Sequence, residues 1–476
     1  MPVKPVARQA ALLTADCVSF TLTVVLALAN AMLIRYHYVG VPRPPQTDDL
    51  GRILIVFGTS FAILLFRSWT LGHYTRFRPF WAELQEVVKT VLVIAAANSF
   101  LLFAIGVQFS RLWFGSFLLL LVVLVPYFRE RTKMLMIRRG LWYQPTCIVG
   151  IGENARKTAD ALDSDSSLGH QIIGFIDVVK KLPRNTGTFH GHPVYTSEEH
   201  AQSDTGGIPT LVFALDSTDE MDEQKTLINK AIASSTQVTI VPPQMALPLY
   251  GAKVEGIFRH DSALLKISNR LADPNAQKLK RLVDYTLSLL LLLPVSALIL
   301  VLGALIKTDG GPVFYKHRRI GRNGKPFDCL KFRSMKLDSQ KLLERYLKHD
   351  SNAMEEWDQT RKLKHDPRVT RIGRYLRRTS IDELPQLINV IKGEMSLVGP
   401  RPIVLEEQHH YGDMFSYYKT MRPGMTGLWQ VSGRNDTSYN ERVQLDVWYC
   451  RNWSLWNDVV VLIKTCKILI SRHGAY

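Results

Sequence analysis

Four apolar runs dominate the first 130 residues, at about 10–34, 53–66, 87–105 and 112–127. Roughly 20 apolar residues carry a helix across a bilayer, so the runs predict four transmembrane helices, the second being the shortest. Arg67, Arg76, Arg78 and Lys89 surround the connection between the second and third runs. Arg129, Arg131, Lys133, Arg138 and Arg139 follow the fourth. The 35–52 connection offsets its arginines with Asp48 and Asp49, and the 106–111 turn holds only Arg111. Positive flanks mark the cytoplasmic side, which puts both chain ends there and agrees with an even number of crossings. The first run is too long, and too closely followed by others, for a simple secretory signal.

From residue 141 to 273 the pattern changes. "TCIVGIGENARKTADAL" reads as an apolar strand, a turn with Gly150, Gly152 and Ala155 at G-x-G-x-x-A spacing, and a helix. "IIGFIDVV", "TLVFAL" and "VTIVPP" are further short apolar runs separated by helical stretches. That alternation predicts a doubly wound, Rossmann-like α/β domain with a parallel sheet. Glycines in the first turn would let a phosphate approach the helix N-terminus, and Asp177 stands where an acidic ribose ligand is expected. The same glycines would equally serve close strand–helix packing. With no catalytic Tyr-x-x-x-Lys following, the domain reads as regulatory or scaffolding.

A fifth apolar segment covers about 278–307. Lys278, Lys280 and Arg281 flank one end, and Lys307, Lys316, Arg318 and Arg319 flank the other, so both ends favour the same side of the membrane. Pro294 lies mid-segment, where it removes a backbone hydrogen bond and bends a helix. These features predict a re-entrant helix that enters, breaks at Pro294 and returns. The predicted organisation is therefore a helical membrane bundle over 1–140, the α/β domain over 141–273, and a mostly α-helical catalytic domain over 274–476 carrying the re-entrant helix.

Composition narrows the partners. The 476 residues carry a net charge of +17, which calls for anionic partners: nucleic acid, lipid headgroups or phosphorylated substrates. Five cysteines show neither C-x-x-C nor metal-ligand spacing, so a disulfide framework is not expected. The basic residues concentrate beyond residue 307, in "KHRRIGRNGKPFDCLKFRSM", "HDPRVTRIGRYLRRTSIDELPQL", "SLVGPRP" and "RPGMTGLWQVSGR". Arg318, Lys331, Arg377, Arg401 and Arg434 stand in these stretches as candidate phosphate ligands, with Arg401 stiffened between Pro400 and Pro402. Amid this charge sit two adjacent carboxylates, Asp382 and Glu383.

Ser380 and Glu383 have capping-box spacing, so the carboxylates could simply serve a helix start. Pro385 argues otherwise: with Ser380 as the cap it would delete a helical hydrogen bond, whereas a helix starting at Asp382 or Glu383 tolerates it in the first turn. The pair then sits at a helix mouth surrounded by cations. A nucleic-acid binder gains nothing from carboxylates at its centre and needs no membrane helix. Phosphoryl transfer from a soluble nucleotide to a membrane lipid uses cations to stabilise the transferring phosphate, a carboxylate for a divalent metal, and a site at the bilayer surface. A transporter would place charges inside its spans, which hold almost none beyond Asp16. A membrane nucleotide sensor would leave the C-terminal constellation unexplained.

"KFRSM", "SIDELPQL", "SLVGPRP" and "RPGMTGLWQVSGR" resemble the motifs of the bacterial sugar transferases, the monotopic polyprenyl-phosphate phosphoglycosyl transferases, from about residue 276 onward. The long architecture resembles members that transfer galactose 1-phosphate in O-antigen (lipopolysaccharide) assembly. UDP-glucose or another UDP-sugar, for exopolysaccharide or capsule, is the alternative donor. The resemblance implies that Asp382 attacks the sugar-bearing phosphate of a UDP-sugar, that Glu383 holds Mg²⁺, and that undecaprenyl phosphate takes the phosphosugar. It further implies phosphate contacts from Lys331, Arg377 and Arg401, a polar role for Asp458, and a site on the cytoplasmic face of the bacterial inner membrane. A homodimer is expected from the large non-catalytic part. The family usually has Gln before Glu-Arg-x-Gly, where this chain has His317 before Arg318 and Arg319. Trp448, Tyr449, Trp453 and Trp456 read as an interfacial aromatic belt.

Overall fold

The computed structural model of the protein describes residues 5–39, 47–75, 77–104, 111–164, 168–177, 187–195, 210–217, 227–228, 231, 238–242, 253–256, 263–266, 273–308, 310–350, 354, 363, 366–433 and 438–471. The chain divides into two compact units, Met1–Ala246 and Leu247–Tyr476.

The first unit begins with α1 (Pro5–Val39), α2 (Thr47–Thr70), α3 (Phe80–Ala104) and α4 (Arg111–Arg138). Segments of α1, α3 and α4 are long and apolar enough to span a bilayer, and α2 contributes the shorter apolar stretch Leu54–Thr70. Phe20, Phe57, Trp113 and Phe117 form the aromatic centre of the bundle, with Trp113 and Phe117 stacked. One end of the bundle holds a buried polar network. Arg129 donates from Nε and a terminal nitrogen to the two oxygens of Asp16, at 2.7 and 2.6 Å, and from its other terminal nitrogen to Glu83 at 3.0 Å. Ser68 accepts from Arg129, Tyr74 donates to Asp16, and Lys133 pairs with Glu83. Arg129 and Lys133, counted from the sequence among the positive residues that follow the fourth run, are 1% and 2% exposed and belong to the bundle interior. Asp16, near the start of α1, meets the far end of α4, as an up-and-down bundle requires.

The α/β part follows: β1 (Gln144–Val149), α5 (Glu153–Ser164), β2 (His170–Ile176), β3 (Thr188–Phe189), β4 (His192–Tyr195), β5 (Thr210–Ala214) and β6 (Val238–Val241). Their order in the sheet is β3-β4-β2-β1-β5-β6, parallel except where β3 pairs with β4. The four apolar runs read from the sequence became β1, β2, β5 and β6. β6 is only half-buried because it lies at the sheet edge. Strand order reverses at β1, and β5 on its other side completes the crevice that doubly wound sheets use for ligands.

In the second unit a hairpin of β7 (Lys253–Gly256) and β8 (Ala263–Lys266) precedes α6 (Pro274–Lys307). Asp273 caps α6 by accepting from Asn275 N at 2.9 Å, and Pro274 takes the first helical position. The helix continues through Pro294, where the sequence predicted a break. Both flanks of α6 nevertheless pack on this unit. At the start, Lys280 pairs with Asp458 at 2.8 Å and Asp284 accepts from Ser396 at 2.7 Å. At the end, Arg333 donates to Ile306 O at 3.0 Å, and Leu302 and Ile306 pack with Phe332 and Leu376. Between them Leu290, Leu293, Leu300 and Val301 are exposed.

β9 (Phe314–Ile320) and β10 (Pro326–Phe332) form an antiparallel hairpin, followed by α7 (Ser339–His349), α8 (Arg371–Thr379) and α9 (Gln386–Lys392). β11 (Ser396–Val398) pairs in parallel with β12 (Gly424–Thr426), and α10 (Phe415–Thr420) lies between them in sequence. α11 (Leu428–Val431), α12 (Tyr439–Arg451) and α13 (Leu455–Ser471) complete the unit. Tyr449 and Trp453 lie in its core, at 1% and 4% exposure, while Trp448 is exposed. At least those two buried rings are not part of an interfacial belt.

Candidate active site

α8 ends at Thr379, and Ser380 takes a left-handed conformation (φ +56°) that turns the chain. Ile381, Asp382 and Glu383 then form one 3-10 turn, and Pro385 (φ −59°) immediately precedes α9. Ser380 makes no side-chain cap, so the capping box is absent and Glu383 has another partner: Lys331 donates to its Oε1 at 2.6 Å. The carboxylates thus occupy a 3-10 turn at a helix mouth.

Three devices fix this turn against the hairpin. Thr370 caps α8 by accepting from Gly373 N at 2.8 Å, and a Cβ on Gly373 would lie 2.0 Å from Ser334 O, so glycine allows α8 to sit directly on the β10 exit. Buried Asn389 of α9 donates to Asp328 O at 2.8 Å and accepts from Leu330 N at 3.0 Å, locking α9 beside Lys331. Arg281 of α6 donates to Ile391 O at 2.6 Å and closes the end of α9, which turns at Gly393 (φ +84°).

Strand alternation decides which cations join the carboxylates. Cys329 pairs with His317, Lys331 with Tyr315 and Phe327 with Arg319, so His317, Arg319 and Lys331 share one face of the hairpin. Arg318 belongs to the opposite face; its side chain is 66% exposed and pairs with Asp328. On the shared face, Arg319 reaches Glu407 at 3.5 Å and His317 Nδ1 at 3.3 Å. Glu407 also lies 4.0 Å from Arg401, whose guanidinium stands 5.3 Å from the Trp429 ring centre; Arg442 stands 5.2 Å from the same ring. A strip of cations thereby runs from Lys331 through Arg319 to Arg401, with His317 between the first two.

Backbone packing explains the glycines of the two motifs that present Arg401. A Cβ on Gly399 would lie 2.5 Å from Arg422 O, and one on Gly427 would lie 2.4 Å from Gly399 O. The Arg401 amide donates to Asp446 at 3.1 Å, and Tyr411 donates to the same oxygen at 2.9 Å. Burial pushes the Asp446 carboxyl up to about 7.

The electrostatics suit a nucleophilic carboxylate. Burial raises Asp382 above the ordinary aspartate range, and Lys331 and Arg377 pull it back, while neighbouring Glu383 opposes them. Lys331 itself is held above its usual value by Glu383 and Asp382 against the opposing effect of burial. His317 is lowered by burial, Arg319 and Lys331, which keeps it neutral at pH 7 and able to accept from Arg319. Burial pushes the Cys329 thiol up to about 11, so it is no rival nucleophile.

The structure thus gathers Asp382, Glu383 and Lys331, brings Arg377 close enough to act on Asp382, and connects Arg401 through the hairpin face. Arg377 donates to Ser334 at 2.9 Å. Arg318 faces away, and Arg434 lies outside the described residues. Asp458 stands apart from the pair: it is buried, binds Lys280, and accepts from Tyr449 at 2.5 Å and Trp453 at 3.2 Å. Its work is to hold α6 to α13. Arg319, Glu407 and Trp429 enter the site without having been singled out as ligands; only the odd-numbered phase of β9 marks Arg319.

Among the described residues no three His, Cys, Asp or Glu side chains gather as a ready-made metal site. Mg²⁺ is usually held by one or two carboxylates with substrate phosphates completing its shell, and the oxygen donors of Glu383 and Asp382 fit that chemistry.

In the α/β part, Gly150 (φ +124°) and Gly152 form the turn after β1, and Asp177 is buried at the end of β2. The carboxylate of Asp216, at the end of β5, lies at the start of α5 and accepts from Asn154 N at 2.9 Å.

Two family profiles match the chain: bacterial sugar transferase over residues 275–472, and CoA-binding domain over 70–242. The chain is 42% identical to the undecaprenyl-phosphate galactose phosphotransferase of Salmonella typhimurium, over 91% of this chain and 90% of that protein. It is 41% identical to the UDP-galactose-lipid carrier transferase of Erwinia amylovora, over 85% of each. The UDP-glucose:undecaprenyl-phosphate glucose-1-phosphate transferase of Xanthomonas campestris pv. campestris is 29% identical over 96% of this chain and 93% of that protein. The residues at the glycine turn do not fit a CoA phosphate, because a carboxylate already takes the helix N-terminus.

Proposed function

This chain belongs to the bacterial sugar transferase family, and we propose that it transfers galactose 1-phosphate from UDP-galactose to undecaprenyl phosphate, releasing UMP. The observation that carries the chemistry is the Lys331–Glu383 pair beside Asp382, in a turn that opens onto the hairpin's cationic face. The donor follows from 41–42% identity to two galactose transferases along most of the chain, against 29% to a glucose transferase.

In the proposed reaction an Asp382 oxygen attacks the sugar-bearing phosphorus, the bridging P–O bond breaks, and UMP leaves with that electron pair. A phosphate oxygen of undecaprenyl phosphate then attacks the same phosphorus and releases the Asp382 carboxylate, regenerating the enzyme. Lys331 keeps Asp382 ionised and stabilises charge on the transferring phosphoryl oxygens, while Arg319 and Arg401 hold the rest of the diphosphate. Mg²⁺, held by Glu383 when bound, supplies charge neutralisation to the diphosphate and the leaving group.

The packing of both α6 flanks on one unit supports a re-entrant helix, since a full crossing would separate its ends by the bilayer. With the positive flanks, that reading puts the site on the cytoplasmic face of the inner membrane, where the transfer would start an O-antigen repeat. The reading keeps the three-part division at about 140 and 273, with the last part catalytic. Membrane fractions supplied with UDP-galactose, UDP-glucose and undecaprenyl phosphate test the reading. Lipid-dependent turnover to UMP should be fastest with UDP-galactose; faster turnover with UDP-glucose would reassign the donor, and none with either would overturn the function.

A further inference from the structure

The crevice between β1 and β5 is where a doubly wound sheet takes the phosphates of a nucleotide, with the first helix N-terminus as the anion site. Here the chain's own atoms fill that place. A Cβ on Gly152 would lie 1.5 Å from Asp216 Oδ2, so the carboxylate rests directly against the glycine that normally admits a phosphate. Its other oxygen accepts from Asn154 N, a donor in the first turn of α5. The Asn154 side chain donates to Leu215 O at 2.9 Å and stands 3.4 Å from Val241 O and Pro242 O, tying α5 to the ends of β5 and β6. Gly150 is equally close-packed: a Cβ there would lie 2.5 Å from Ala214 O.

We propose that Asp216 is a built-in substitute for a ligand phosphate, closing the glycine turn so that the α/β domain keeps its nucleotide-type crevice without binding CoA or a dinucleotide there. Two properties follow from one carboxylate. It satisfies the donors that a phosphate would satisfy, which stabilises the ligand-free fold. Its negative charge also excludes an incoming phosphate from the same few ångströms. The glycines then serve the fit of Asp216 and the strand ends.

The full-length protein in lipid nanodiscs, dialysed against radiolabelled CoA with excess UMP to block the donor site, tests this. Wild type should bind no CoA saturably. Asp216→Gly, which removes charge and bulk, should gain saturable binding at least tenfold above the wild-type level, with Asp216→Asn intermediate. Thermal unfolding adds a check independent of any ligand: Gly152→Ala should lower the melting temperature in wild type and do so much less when combined with Asp216→Gly. Saturable, UMP-resistant CoA binding by wild type would overturn the proposal. So would the absence of a gain in both Asp216 variants, or an equal Gly152→Ala penalty in both backgrounds.

Discussion

Replacing Lys331 with Met keeps the aliphatic stem and removes the charge that touches Glu383 at 2.6 Å. The pair is 30% and 37% exposed at its two side chains, so its worth to folding is that of a partly solvated ion pair, about 0.2–1 kcal/mol. For a catalytic domain of this size that is a melting shift of at most about 4 °C. The catalytic loss should be far larger. Removing one positioned donor from a site of developing charge costs about 10²–10³ in turnover, roughly 2.7–4 kcal/mol. A second effect has a definite sign. Burial already raises Asp382 above the ordinary 3.8, and Lys331 lowers it; without Lys331 it rises further, and less nucleophile is ionised at any given pH. UMP release measured in nanodiscs across pH should therefore show a lower plateau and an acid limb displaced to higher pH. A loss under about tenfold, worth 1.36 kcal/mol, with an unmoved acid limb would refute the role given to Lys331.

Asp16→Ala takes the bidentate partner from the buried Arg129, leaving it Glu83 and Ser68, and should destabilise the helical bundle by about 3 kcal/mol, read as a lower melting temperature, with turnover per folded molecule unchanged. Asn389→Leu leaves the Leu330 amide and Asp328 carbonyl unpaired, at about 1–3 kcal/mol each, and should also slow UMP release because α9 no longer fixes the carboxylate turn beside Lys331. Cysteines placed at Gln277 and Thr308, with Cys17 and Cys466 changed to Ser, should both resist an impermeant thiol reagent added outside intact cells; labelling of position 308 alone would mean that α6 crosses.

Much of this architecture was legible because the signals are local. Apolar runs revealed the helices of the first unit and the strands around the glycine turn, and Pro385 indicated that Asp382 and Glu383 lie at a helix mouth. What escaped depends on pairings between distant residues. Arg129 looks like a membrane-flanking charge until Asp16, 113 positions earlier, is found against it. Arg318 and Arg319 are equivalent in a basic run, and only the register with β10 sends Arg319 to the Lys331 face. Asp458 carries a motif yet spends both oxygens inside the core. Asp216 is invisible beside Gly152 because the two meet only when β5 lies next to β1. Pro294 did not end α6 either, since the packing of its two flanks, and not the proline alone, sets its course.

The covalent role of Asp382 is tested most directly by intact-protein and peptide mass spectrometry after mixing the enzyme with UDP-galactose in the absence of undecaprenyl phosphate. The wild-type protein should gain one hexose phosphate on the peptide containing Asp382 and release UMP in equal amount, and adding the lipid should discharge the adduct. Asp382→Asn should form no adduct and release no UMP, although it folds normally. An adduct on another residue, or one that persists in Asp382→Asn, would contradict the account.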